Sequence, residues 1–232
     1  MSAPTNEIYA ALRSRLLSGA FQAGQRVKPD DLRAEFGVSA STVRESLLQL
    51  ATEGFLNLID QRGFRVPQSS ETTLKELADL RILLEQRAVR ETLANASLRW
   101  DSELIAAHHR LAHIEAEIAN RRNVDDHVGV WTDAERGFHQ VLISGCESQV
   151  LLDLHAQLFD RYRQMLVLNF GHMRFGFRED NKHEHEQILA AALARDADAC
   201  CEMIAGHIVT GMHAVRQSFE AALGDQTERT GT

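Results

Sequence analysis

The chain has 232 residues, 44% hydrophobic and 25% charged, which supplies a core for one large domain or two small ones and argues against a disordered or fibrous chain. Its apolar runs are only a few residues long, its first eight residues lack the basic and apolar regions of a secretory signal, and its three cysteines (Cys146, Cys200, Cys201) form no CxxC pair. Membrane, secreted and zinc-ribbon classes are excluded on these grounds, and a cytoplasmic protein with reduced thiols is expected. The net charge of −8 is unevenly spread: residues 1–66 hold eight Lys/Arg against seven Asp/Glu, a net +1 that leaves −9 to the remainder, and all eleven histidines lie beyond residue 100.

Asn6 to Ser18 carries Ile8, Leu12, Leu16 and Leu17 at helical spacing and is stopped by Gly19, which predicts a first helix. Asp30 to Phe36 predicts a second, with Pro29 at its cap or first turn. Gly37-Val38 makes a tight turn. Ser39 or Ser41 then caps a third helix, which runs through Val43, Leu47 and Leu50 to Glu53 and stops at Gly54. Phe55 to Ile59 and Gly63 to Val66 read as a hairpin around Asp60-Gln61-Arg62. Helix, helix, turn, helix, hairpin is the order of a winged helix-turn-helix. The three prolines (Pro4, Pro29, Pro67) end at residue 67, and no glycine falls between Gly63 and Gly129. A boundary therefore divides a domain 1–67 from a domain 68–232. Beyond it, helices are predicted over about 71–95, 101–121, 126–145, 148–169, 181–195 and 197–222, each with an apolar stripe such as Leu104, Leu111 and Ile118. His172 to Phe177 reads as a loop. The expected fold is mainly α: an N-terminal winged helix-turn-helix followed by an all-helical bundle.

Residues 37–54 place a short turn before an amphipathic helix whose first turn carries small polar residues, which suits a helix entering the major groove. Ser39, Ser41 and Thr42 can donate to phosphate or base edges, and Arg44 can reach a phosphate or a guanine. Arg62 and Gly63 suit a wing tip laid along the DNA backbone or minor groove. The competing reading is an ordinary three-helix unit in which Ser and Thr only cap.

Each histidine cluster has a bland reading beside the chemical one. His183-Glu184-His185-Glu186 is not HExxH, and residues two apart on a helix point about 200° apart, so His183 and His185 cannot share an ion. His109 and His113 are four apart but lie opposite the Leu104/Leu111/Ile118 stripe and read as solvated. His108, His127, His155, His172 and His213 have no obvious partner and read as structural. Three others differ. His139 shares a stripe with Trp131, Phe138 and Leu142, and Glu135 precedes it by one turn. His185 precedes Ile188, Leu189 and Ala192, and His207 lies with Met203, Ile204 and Gly211. A turn near Asp196 sets His185 and His207 level on facing helices. Three imidazoles and a carboxylate converging in a bundle suit Zn²⁺, Ni²⁺ or Mn²⁺. The alternative is a set of buried histidines hydrogen-bonded to one another and to Glu135. Arg81, and with it Arg161 and Arg163, can anchor an organic acid, because arginine presents a planar fork to carboxylates. The alternative for Arg81 is a surface salt bridge to Glu85, and for Arg161 and Arg163 a purely structural role is the leading reading.

The stretches Leu17-Ser18-Gly19-Ala20-Phe21-Gln22-Ala23-Gly24, Phe36-Gly37-Val38-Ser39, Ser41-Thr42-Val43-Arg44-Glu45, Glu53-Gly54-Phe55 and Arg62-Gly63-Phe64 resemble, in residue type and spacing, the GntR family of bacterial transcription regulators. The branch resembled carries a FadR-type all-helical C-terminal effector (FCD) domain, and the likeness runs over nearly the whole chain. It departs at Asp30 and Ala40, where the family often has arginine, which puts the bases read in question. Metal-containing members have an Asp-x-x-x-His pair followed by two further histidines. This chain matches at His139, His185 and His207, with Glu135 in place of Asp. The arginine corresponding to Arg81 often faces the effector pocket in the family. Ile143 to Ser148 and Leu189 to Asp196 resemble a member that controls glutarate catabolism, which points to a short dicarboxylate. The resemblance thus implies a homodimeric regulator, a repressor and not an enzyme, that binds double-stranded operator DNA. A small carboxylate effector bound at a divalent metal centre, zinc first and nickel or manganese next, then sets operator affinity. A metal-sensing regulator is the alternative. A helical-bundle metalloenzyme is a remoter one, since the sequence offers no recognisable nucleophile, general base or cofactor loop.

Overall fold

A computed structural model describes residues 3–59, 63–119, 128–170 and 179–229. The wing-tip residue Arg62, the stretch 172–177 expected as a loop, and His127 lie outside the described residues. Helix α1 (Ala3–Ser18), strand β1 (Arg26–Val27), helices α2 (Pro29–Phe36) and α3 (Ala40–Thr52), and strands β2 (Asn57–Ile59) and β3 (Gly63–Arg65) come first. Ile8, Leu12 and Leu16 of α1 and Val43, Leu47 and Leu50 of α3 are buried in one core with Phe55, Phe64 and Val66. Their i, i+4 and i+3 spacings are what make both segments amphipathic helices. Pro29 starts α2, where its fixed φ is already helical, and Gly37 ends it at φ 65, a left-handed cap that a Cβ would strain. Ser39 opens α3 by accepting from the Thr42 amide at 3.2 Å. The strands form an antiparallel sheet in the order β1-β3-β2, with Val27 and Leu58 on either side of Phe64. Strand β1 was not expected from sequence, because two residues are too few to leave an alternating pattern.

The chain divides into two compact units, Met1–Leu74 with Asp160–Gly171 and Lys75–Phe159 with His172–Thr232. The first unit, the head, therefore includes the second half of helix α7 (Gln149–Phe170). There Asp160 pairs with Arg13, Gln164 Nε2 donates to the Phe55 carbonyl at 2.9 Å, and Leu168 packs on the head core.

The second unit is built from α4 (Glu71–Asn95, from Lys75 on), α5 (Leu98–Ala119), α6 (Val128–Leu142), the first half of α7, α8 (Glu179–Leu193) and α9 (Ala197–Arg229). Helix α5 packs on α6 and α8, and α8 on α9. The stripes Leu104/Leu111/Ile118 and Trp131/Phe138/Leu142 are buried, as their period of about 3.6 requires. Helix α9 runs well past the expected end near residue 222. The turn before it places Arg195 at φ 61, a conformation unusual for a residue with a side chain. Its guanidinium stabilises that turn by reaching Asp101 at 2.7 Å and lying 5.3 Å from the Trp100 ring. Among the described residues, no helix is long and apolar enough to cross a membrane.

Candidate metal centre and nucleic-acid interface

At the exposed start of α3, Ser39 Oγ lies 2.7 Å from Ser41 Oγ and 2.8 Å from Thr42 Oγ1, a cluster of hydroxyls at the first turn. Arg44, two residues beyond Thr42, is exposed, and its guanidinium stands 6.0 Å from the centre of the Phe64 ring on β3. Gly63 opens β3 at φ 88, next to the wing tip. One serine of the cluster is already committed to capping, while Ser41 and Arg44 are exposed and Thr42 is half-buried.

In the second unit, α6 carries Glu135 and His139 on its buried face, α8 carries His185 and α9 carries His207. The ring centroids of His185 and His207 are 4.5 Å apart, those of His139 and His207 5.5 Å, and those of His139 and His185 6.0 Å. One ligand atom from each of the three lies within 4.8 Å of the others. Each ring is held from behind by a carboxylate. His139 Nδ1 bonds Glu85 Oε2 at 2.9 Å, His185 Nδ1 bonds Glu115 Oε1 at 3.1 Å, and His207 Nδ1 bonds Glu184 Oε2 at 2.9 Å. The buried Nε2 atoms of His139 and His185 have no hydrogen-bond partner. Two orphaned imidazole nitrogens converging with a third are what a divalent ion needs and what a purely hydrogen-bonded cluster would avoid, so these residues fit a metal. Glu135 stands beside the trio, its Oε1 3.9 Å from His207 Nε2.

The electrostatics of the three rings differ. Burial pushes His139 down to about 4 and also lowers His185, and Phe138 covers both edge-on at 5.5 Å. Burial works against charge on His207 as well, but the carboxylates of Glu135 and Glu184 outweigh it and hold that ring up at about 8. Burial alone would raise Glu85. Instead Arg81, and then the imidazoles of His139 and His155, hold its carboxyl well below the usual range.

Residues 4–66 match the bacterial regulatory proteins of the gntR family, and residues 76–210 match the FCD domain. The chain belongs to the GntR family. The HTH-type transcriptional regulator BphR of Paraburkholderia xenovorans (strain LB400) is 33% identical over 216 residues, which cover 90% of this chain and 84% of BphR. The HTH-type transcriptional repressor GlaR of Escherichia coli (strain K12) is 28% identical over 214 residues, covering 91% of this chain and 95% of GlaR. Among solved structures, E. coli McbR/YncC aligns with a TM-score of 0.76 at 23% identity, over 94% of this chain and 99% of that one. A transcriptional regulator from Rhodococcus sp. RHA1 aligns with a TM-score of 0.72 at 21% identity, over 94% and 100%. At those identities the likeness is one of fold. The matched families and relatives are transcriptional regulators rather than enzymes, which disposes of the metalloenzyme alternative.

In this GntR-family chain, the other residues singled out from sequence fall into distinct places. Arg81 and Glu85 do pair, at 2.6 Å, but the pair is buried rather than on the surface, and the Arg81 guanidinium lies 4.2 Å from the centre of the Phe159 ring. Arg161 and Arg163 belong to the head, where Arg161 lies against Gly54. His109, His113 and His183 are exposed. His155, read as structural, is fully buried and bonds Glu85 Oε1 through Nε2 at 2.8 Å. Sequence reasoning missed Glu115, Glu184 and the interior place of Glu85. A signal existed for two of them: Glu115 sits between Leu111 and Ile118 on a buried stripe, and Glu85 sits between Arg81 and Ala88/Val89 on another.

Proposed function

We propose that this regulator is a cytoplasmic, dimeric repressor with a DNA-reading domain over residues 1–67 and an effector and dimerisation domain over 68–232. Ser39, Ser41, Thr42, Arg44, Arg62 and Gly63 contact double-stranded operator DNA. His139, His185 and His207 hold a divalent ion, zinc first and nickel or manganese next, with Glu135 as a fourth ligand. The ion supplies a Lewis-acidic position for one oxygen of a small carboxylate, a short dicarboxylate by resemblance, and Arg81 pairs with its acid group. Binding of that ligand shifts the population of the DNA-competent form and so couples the two sites. The observation that carries this reading is the meeting of three imidazoles, two with orphaned Nε2 atoms, inside the domain matched as FCD.

The test is titration of the purified protein against the DNA upstream of its own coding region, with and without metal and short dicarboxylates. Saturable binding that survives excess competitor DNA is expected, and Arg44→Ala should weaken it by about 1–3 kcal/mol without changing metal content. Unchanged affinity would take Arg44 off the contact surface. His207→Ala should lose metal and ligand response together, and full metal retention in that variant would sink the proposed centre. If chelation alone changes operator affinity, the ion itself is the effector.

A further inference from the structure

Each imidazole of the trio is backed by its own carboxylate, and the three come from different helices: Glu85 from α4, Glu115 from α5 and Glu184 from α8. Their side chains are 0%, 7% and 19% exposed. Burying a carboxylate costs several kcal/mol unless charge or hydrogen bonds compensate, so three of them placed on three Nδ1 atoms call for a role. A carboxylate only accepts, so the Nδ1 facing it carries a proton, and in a neutral ring Nε2 is left with a lone pair. We infer that Glu85, Glu115 and Glu184 are positioning residues of the histidine centre, each fixing one ring by its Nδ1–H so that the Nε2 atoms turn towards one point, with lone pairs on the neutral His139 and His185. The inference rests on the metal reading above.

Two further observations support it. The carboxylates are themselves held: Glu115 Oε1 accepts from Trp131 Nε1 at 3.3 Å, and Glu85 accepts from Arg81 Nε at 2.6 Å as well as from the two imidazoles. The His183-Glu184-His185-Glu186 run also acquires a meaning. His185 turns its ring into the trio, while its neighbour Glu184 reaches across to the ring on α9. One helix thereby supplies a ligand and steadies another helix's ligand. Outer partners of this kind set ring orientation and basicity, and their loss typically costs about 10- to 100-fold in metal affinity.

The experiment uses the full chain, metal-free and ¹⁵N-labelled, with two readouts. Long-range ¹H–¹⁵N correlation of the imidazoles reports the tautomers of His139 and His185, and chelator competition reports Zn²⁺ affinity. Expected are Nδ1–H tautomers for both rings, and a loss of about 10- to 100-fold in Zn²⁺ affinity for Glu115→Gln and for Glu184→Gln. The exposed Glu186→Gln should bind Zn²⁺ like the parent. Glu184, the most exposed of the three, keeps the test open should Glu115→Gln fail to fold, and a general loss of stability does not invert a tautomer. Nε2–H on His139 or His185, or Gln variants that bind Zn²⁺ as the parent does, overturn the proposal. Nδ1–H tautomers in a protein that binds no Zn²⁺ uphold the positioning and overturn the metal reading instead.

Discussion

At neutral pH the metal-free trio carries its charge unequally. His139, held near 4, and His185, also lowered, are neutral, while His207, held up at about 8, is protonated. An entering ion must displace that proton, so affinity should rise with pH up to about 8 and level off above it. Calorimetry in two buffers of different ionisation enthalpy should show about one proton released at pH 7 and close to none at pH 9; no release at pH 7 would mean that His207 is not a ligand. The same ring gives the metal-free fold a stability term of defined sign. Its pKa is raised from 6.5, so the contribution is full below 6.5 and disappears as pH passes through about 8. A fall on the order of 2 kcal/mol across that window, read as a lower Tm for the apoprotein, is expected. Glu85 works in the opposite direction: its lowered pKa leaves its contribution intact at neutral pH and loses it only in strong acid. Glu85→Ala removes the acceptor of one buried guanidinium and two buried imidazoles, which should cost about 3–5 kcal/mol in urea unfolding.

At the scale of elements, the helices were legible because each has a stripe, a cap or a stop that acts locally. Ser39 is an example. Ser39 or Ser41 was expected to cap α3 after the Gly37-Val38 turn, and the Thr42 amide that Ser39 accepts from settles it on Ser39. Ser39→Ala should therefore cost about 1 kcal/mol of thermal stability, measurable by calorimetry, even with no DNA present. What could not be read was anything that depends on a partner far along the chain. Strand β1 exists because β3 offers Val27 a place opposite Phe64, and two residues carry no period of their own. The trio was legible because a histidine on an apolar stripe points inward whichever helix it meets. Its carboxylates were not, because Glu85 lies 54 residues from the ring it holds and Glu115 lies 70 from its own. Periodicity shows which face is buried and is silent on what lies across from it.

At the scale of the whole molecule, charge and composition separated a proline-bearing head from an acidic, histidine-rich helical remainder, because those biases follow the chain. They gave no hint that residues 160–170 complete the head. That segment is plain α7 helix, and its membership depends on Arg13, Phe55 and the core that receives Leu168. A fragment of residues 1–74 should therefore melt below the head of the intact protein and expose apolar surface to a dye such as ANS. Equal melting would mean that the α7 contacts add nothing. The consequence reaches beyond this one chain. A single cut after residue 74 would look sufficient to move this head onto another C-terminal domain. Here such a cut leaves the reader without its floor, and a chimera made that way sets it on a helix shaped for someone else's.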